Sequence, residues 1–243
     1  MSDVERHARS RKSHYRDPLS ALTVAAVAYL ACLLLALVVV PRIGVLGLPS
    51  WIDQLLTFVL IWLPLLIAVY AAGRRYGTGS ARTDTGLRLR VIDLGIGLLA
   101  GLVLRLLAEW IAPSSTGAPA LDGTTAPALP PVPELLVLVV GGVLVAPLVE
   151  ELFFRGLLQR SASGLVRGGR SARIIVAVLV STPLFVLLHL ALAAPANWGG
   201  VAVVTGISGL GFGLLAAITR RLGAAILAHG VFNALGLAIL YLR

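Results

Sequence analysis

Seven stretches of this chain run for about twenty residues with almost no charge, the length an α-helix needs to cross a hydrocarbon core. In that medium a backbone must satisfy its own hydrogen bonds, which leaves only helices or closed barrels. Continuous apolar runs, rather than alternating ones, select the helix. The predicted spans are Leu19 to Val40, Leu55 to Ala72, Val91 to Ile111, about Glu134 through the Glu150 region, Ile174 to Ala193, Val201 to Ile218 and Gly223 to Tyr241. Pro64 is expected to kink the second. The first is longer than a signal-peptide core and no small-residue cleavage site follows, so it reads as a retained anchor. The expected fold class is all-α, a polytopic transmembrane helical bundle. Composition agrees: 58% of residues are hydrophobic and 13% charged, against about 25% charged in a soluble domain. A soluble enzyme is excluded.

The net charge of +9 is decided by where the cations fall. With the N terminus in the cytoplasm, sixteen of the twenty Lys and Arg lie on that side. They are Arg6, Arg9, Arg11, Lys12 and Arg16 in the tail, Arg74, Arg75, Arg82, Arg88 and Arg90 after span two, Arg160, Arg167, Arg170 and Arg173 after span four, and Arg220 and Arg221 after span six. Arg42 and Arg243 fall on the far side, and Arg105 and Arg155 within spans. The positive-inside rule then predicts N-in, C-out. The basic charge sets orientation, so the expected partner is the lipid bilayer and no nucleic acid. Four segments follow: a cytoplasmic basic tail (1–18), three N-terminal helices (19–111), a Pro/Ala/Thr-rich extracytoplasmic loop (112–133) and a four-helix core (134–243). The single cysteine, Cys32, makes no intrachain disulfide and reads as apolar filler.

Charge near the bilayer centre costs roughly 2.5 to 3.5 kcal/mol on insertion scales, so each ionisable group there needs a partner or a task. In span four, Glu151 and Arg155 stand at i and i+4 and are expected to pair on one face. Glu150 points about 100° away and lacks that partner, which suits it to act as a general base on water. Span five carries Phe185 and His189 at i and i+4, and span seven carries His229 and Asn233 at the same spacing. The latter two can converge to donate hydrogen bonds to an oxyanion or, with neutral imidazole, to help ligate a metal. His7 and His14 sit in the basic tail and read as solvated. Arg105 and Glu109, also i and i+4, read as a structural pair between helices.

Glu150 to Arg155 spell E-E-x-x-x-R, Phe185 to His189 F-x-x-x-H, and His229 to Asn233 H-x-x-x-N, in that order on successive helices. From about Glu134 to Arg243 the chain resembles the CPBP family of intramembrane proteases, which includes the type II CAAX prenyl endopeptidases and the bacterial Abi, or bacteriocin-immunity, proteins. The resemblance implies hydrolysis of a peptide bond in a membrane-associated or lipid-modified peptide. Glu150 and His189 would activate water, His229 and Asn233 would stabilise the oxyanion, and Glu151, Arg155 and Phe185 would support the site. No metal is the expectation, since no H-E-x-x-H helix is present. Zinc on His189 and His229 with Glu150 or Asn233 is the alternative. Two other functions share these residues: a catalytically silent scaffold or immunity protein of the same fold, and a proton-coupled transporter. One Lys against 19 Arg, with abundant Ala, Gly and Val, fits a high-GC bacterial genome and hence the cell inner (cytoplasmic) membrane.

Depth is the point of tension. At about 1.5 Å per residue from the basic ends of the predicted spans, His229 lies ~9 Å deep, Asn233 ~15 Å, Glu150 ~16 Å and His189 ~22 Å. A shared site requires a kink at Pro183, helix tilt or a later membrane entry for span five. It also requires His189 within about 12 Å of Glu150, under a cavity that opens toward the cytoplasm.

The charge bias sets a topology test. A reporter active only outside the cytoplasm should be on when fused after Arg243 and off when inserted beside Arg82; the reverse pattern would overturn N-in, C-out.

Overall fold

A computed structural model describes residues 15–112 and 129–242. The tail up to residue 14, with His7 and His14, and the loop from 113 to 128 lie outside the described residues. Seven helices are long and apolar enough to cross a bilayer: α1 (Pro18–Leu46), α2 (Ser50–Tyr76), α3 (Val91–Ile111), α4 (Val132–Leu165), α5 (Arg170–Leu192), α6 (Pro195–Thr219) and α7 (Gly223–Tyr241). No strand occurs among the described residues. Number and order are those expected, and the bounds of α3 and α7 coincide with the apolar runs. Leu19, Val27, Leu30, Leu98, Leu99 and Leu179 stand well exposed on the outside, as side chains facing lipid tails do. Helix ends are fastened by polar groups. Asp17 accepts the Ser20 amide (3.1 Å) at the start of α1, and Asp93 accepts the Arg90 amide (2.9 Å) at the start of α3.

The largest departure from expectation is α4. Rather than giving way to a loop before Arg160 it runs for 34 residues, at ~1.5 Å each about 50 Å and well beyond a hydrocarbon core. Val137–Val145 and Glu151–Gln159 are wound as π-helix, with i to i+5 hydrogen bonding in place of the even α spacing. From residue 151 to 162 every side chain is buried, so this half of α4 is the central post of the bundle. Arg160, expected in a loop, is inside this helix. Its guanidinium donates to the carbonyls of Thr83 and Asp84 (both 3.4 Å) and of Arg220 (2.8 Å). A charged stretch looks like a loop in one dimension when its partners lie on other segments. Elsewhere the helices also outrun the apolar runs: α1 continues past Val40, α2 begins before Leu55 and runs on through Pro64, and α5 begins at Arg170.

Two apolar clusters flank the post. Tyr29, Leu65, Phe153, Phe154, Leu157 and Phe185 join α1, α2, α4 and α5. Leu152, Phe212, Ala225, Ala228 and Phe232 join α4, α6 and α7, with Ala108 of α3. The first three helices are therefore no separate layer, because α3 packs on α7. Small residues make that contact close: a Cβ on Gly101 would stand 2.6 Å from the Ala228 carbonyl oxygen and 2.8 Å from the Val231 Cβ.

The basic loops meet at one end of the bundle, as their charge requires. The amides of Leu222 and Gly223 donate to Gly86 and Arg88 carbonyls (2.9 and 3.1 Å), and Arg221 Nε donates to both Asp93 carboxylate oxygens (2.9 and 2.8 Å). This ties the turn between α6 and α7 to the start of α3.

Because the neighbour of Gly101 is backbone, Gly101→Ala should cost about 1–3 kcal/mol, read as a lower unfolding temperature in detergent. Gly95, with open space where its Cβ would be, should tolerate Ala without loss.

Candidate active site

The local chemistry begins with Glu151 and Arg155, one turn apart in the π-wound part of α4 and both excluded from the outside. Arg155 Nη1 lies 3.0 Å from Glu151 Oε1, and Nη2 donates to the Gly209 carbonyl of α6 (3.0 Å). The Arg155 guanidinium also lies 4.5 Å from the centre of the Phe185 ring, a cation-π contact. The pair expected from spacing is formed. Beyond it, the same Glu151 oxygen receives His229 Nδ1 from α7 at 3.0 Å. Glu151 therefore does more than neutralise an arginine: it holds an imidazole in place across two helices. Phe212 of α6 stacks on the His229 ring, centroids 4.6 Å apart and planes 19° from parallel. Phe185 meets the other flank edge-on at 5.9 Å.

Glu150 and His189 complete the centre. Glu150 Oε2 lies 3.9 Å from His229 Nε2 and 3.9 Å from His189 Nε2, with no hydrogen-bond partner of its own. Three helices thus deliver one carboxylate oxygen and two imidazole nitrogens to one place. Each separation is too long for a direct hydrogen bond and short enough that one water can bond to both ends. His189 Nδ1 donates to the Phe185 carbonyl one turn back (2.8 Å), and the two rings lie 4.3 Å apart. Both partners of the Nδ1 atoms, a carbonyl and an ion-paired carboxylate, only accept. Each histidine therefore carries hydrogen on Nδ1 and turns Nε2 toward Glu150. The side chains of Glu151 and Arg155 are fully covered, whereas His189 is 30% exposed and Glu150 14%, so the centre is approached past His189.

Helix lengths resolve the depth tension. Glu150 is 15 residues from the end of α4, His189 is 19 from the start of α5, and His229 is six from the start of α7. Since the three meet, α4 and α5 project by roughly 13 to 20 Å beyond the start of α7 at the basic end. The mismatch arises from measuring each residue from its own helix end, since those ends are not level.

Asn233 Nδ2 donates to the Gly142 carbonyl (2.8 Å) in the other π-wound part of α4. One amide hydrogen is thereby committed to joining α7 to α4, which leaves the second. A polar cavity of about 420 Å³ opens at the basic end, lined by Arg155 and Gln159 but by none of Glu150, His189 and His229.

The zinc alternative can be tested on the donors. Ligands around a tetrahedral zinc at about 2.0–2.1 Å stand ~3.4 Å apart, closer than the 3.9 Å from Glu150 to either imidazole. Among the described residues, no three His, Cys, Asp or Glu are grouped as a metal cage. The trio as arranged is wider than a tetrahedral zinc site, and no step below passes through a metal. Sequence reading overlooked Phe212, for which the available signal was a lone ring between Gly211 and Gly213 in a helix of small residues.

The two adjacent glutamates should differ in their effect on stability. Glu151→Gln leaves Arg155 buried without its counter-charge and should cost about 3–5 kcal/mol. Glu150→Gln breaks no direct hydrogen bond at Oε2, which stands 3.9 Å from both imidazole nitrogens, and should leave the unfolding temperature in detergent nearly unchanged.

Among known proteins, residues 132–235 match the family model described as type II CAAX prenyl endopeptidase Rce1-like. No curated protein and no solved structure matches the chain.

Proposed function

On the match of residues 132–235 to the type II CAAX prenyl endopeptidase Rce1-like family model, we propose that this chain is an intramembrane protease of the CPBP family and hydrolyses a peptide bond of a membrane-associated or lipid-modified peptide, with a water held between Glu150 and the two histidines. The observation that carries the reading is the position of Glu150 Oε2, buried, unpartnered and 3.9 Å from each Nε2. A buried carboxylate oxygen without a hydrogen bond costs free energy, and a bound water would relieve it.

In the proposed reaction the Glu150 carboxylate takes a proton from the water, whose other hydrogen bonds to the His189 Nε2 lone pair. The water oxygen bonds to the peptide carbonyl carbon, and the carbonyl electrons move onto oxygen. His229 Nε2 and the second amide hydrogen of Asn233 face the resulting oxyanion. Donation from His229 requires the imidazolium form, since its Nδ1 hydrogen is already given to Glu151. The C–N bond then breaks, and the proton on Glu150 passes to the leaving amine. Phe212 and Phe185, packed on the His229 ring, keep it from turning away. The reaction takes place in the cytoplasmic membrane, with the basic loops on the cytoplasmic side.

The test is cleavage of a prenylated CAAX-type reporter and a set of membrane peptides by purified protein in detergent. Glu150→Gln should lower the rate about 10²–10⁴-fold, while a zinc chelator leaves the wild-type rate unchanged. Cleavage at the wild-type rate by Glu150→Gln would overturn the role of this residue, and a chelator-sensitive rate would overturn the metal-free reading.

A further inference from the structure

The cavity at the basic end is not used by the reaction above. Five arginines line it, Arg155, Arg160, Arg170, Arg173 and Arg220, and no Asp or Glu does. Arg155 is balanced by Glu151. The other four form no ion pair with a carboxylate among the described residues. Arg160 is held by three backbone carbonyls and lies near Asp84; the guanidinium groups of Arg170, Arg173 and Arg220 around one hollow repel one another unless an anion sits between them.

Three further features point to such an anion. First, the walls hold buried polar atoms without partners. Arg155 is 1% exposed and its Nε has no hydrogen bond; Gln159 is 4% exposed and its Oε1 has none; Arg173 Nε is likewise unpartnered. Second, α5 starts at this cavity from Gly169, with no side chain capping it. The free amides and positive dipole end of a 23-residue helix are therefore added to the cationic wall. Third, Arg220 has φ 59° and ψ 22° and is the sole non-glycine residue at positive φ among those described. A helix normally ends in this conformation with glycine. Arginine there costs roughly 1–2 kcal/mol of backbone strain, which its position on the cavity wall would offset.

We propose that this cavity binds a phosphate group, either the headgroup of an anionic phospholipid or a free phosphate. Forked guanidinium donors and a helix N-terminus both suit phosphate oxygens, and basic hollows between transmembrane helices are suited to lipid headgroups. Gln159 Oε1 supplies an acceptor for a hydroxyl on the ligand, such as that of a phosphoglycerol or of hydrogen phosphate. A volume of about 420 Å³ admits a headgroup and lies in the range of small-ligand sites. The binding is independent of the hydrolytic reading and is read without measuring cleavage.

Ligand binding to the folded protein raises its unfolding temperature with concentration. Purified protein in uncharged detergent is titrated separately with inorganic phosphate, with phosphatidylglycerol and with phosphatidylcholine. The proposal expects stabilisation by phosphatidylglycerol, by inorganic phosphate, or by both, and none by phosphatidylcholine. Stabilisation by phosphatidylglycerol alone assigns the headgroup; stabilisation by inorganic phosphate assigns free phosphate as sufficient. Arg173→Gln and Arg220→Gly should each weaken the effect about tenfold or more, as expected for loss of a charge-assisted hydrogen bond. Arg82→Gln, which removes one charge from an exposed loop at the same end of the bundle, should change it less than twofold. Arg220→Gly relieves the left-handed strain, so the ligand-free protein should unfold no lower than wild type and a loss of binding cannot be put down to misfolding. No stabilisation by either phosphate source, or an equal loss in all three variants, overturns the proposal.

Discussion

One carboxylate oxygen, Oε1 of Glu151, takes both Arg155 Nη1 and His229 Nδ1 at 3.0 Å. These groups come from α4 and α7, and through Arg155 Nη2 the contact extends to α6. Placed singly in a hydrocarbon interior, each would be strongly unfavourable; placed together they satisfy one another. This knot determines which faces of α4, α6 and α7 meet, since a rotation of any one would leave a buried charge without its partner. Apolar contacts alone would specify that register weakly, because lipid tails compete equally well for leucine and valine surfaces.

The chemistry of the centre follows from the knot. Holding His229 by Nδ1 leaves Nε2 turned to Glu150, and the Phe185 carbonyl does the same for His189. Two successive glutamates in one helix thereby take different parts, Glu151 closed into the packing by Arg155 and His229 and Glu150 turned to two imidazole nitrogens without a direct hydrogen bond to either. The π-winding of α4 belongs to the same picture. Widened turns occur on both sides of Glu150, and the carbonyl that receives Asn233 lies in the first of them, at Gly142. Such turns are common where a helix carries functional groups.

The helices were legible because the bilayer restricts the backbone so severely. The run Val91 to Ile111 is both the apolar stretch and the helix, and the basic loops share one end as their charge implied. Legibility failed where polar residues are buried. Arg160 read as a loop residue, yet with Gln159 and Ser161 it is buried in α4, and Gln159 and Arg160 donate to carbonyls that are 54 or more positions away. Hydropathy reports the cost of moving a residue out of water, and it has no means of counting partners that another helix brings.

From the chain alone came the seven helices, the pairing of Glu151 with Arg155, and the suspicion attached to Glu150, His189 and His229. Each of these depends on neighbours within about four residues or on the summed hydropathy of a segment, and both are local properties. The tertiary structure decided that Glu151 grips His229, that Phe212 stacks on the same ring, that Asn233 reaches Gly142, and that four arginines from the ends of three helices surround one cavity with Arg155 at its inner wall. Those facts depend on the relative rotation and offset of whole helices. Burial of the Glu151 charge and the projection of α4 and α5 past α7 set these, and no short window of sequence contains either.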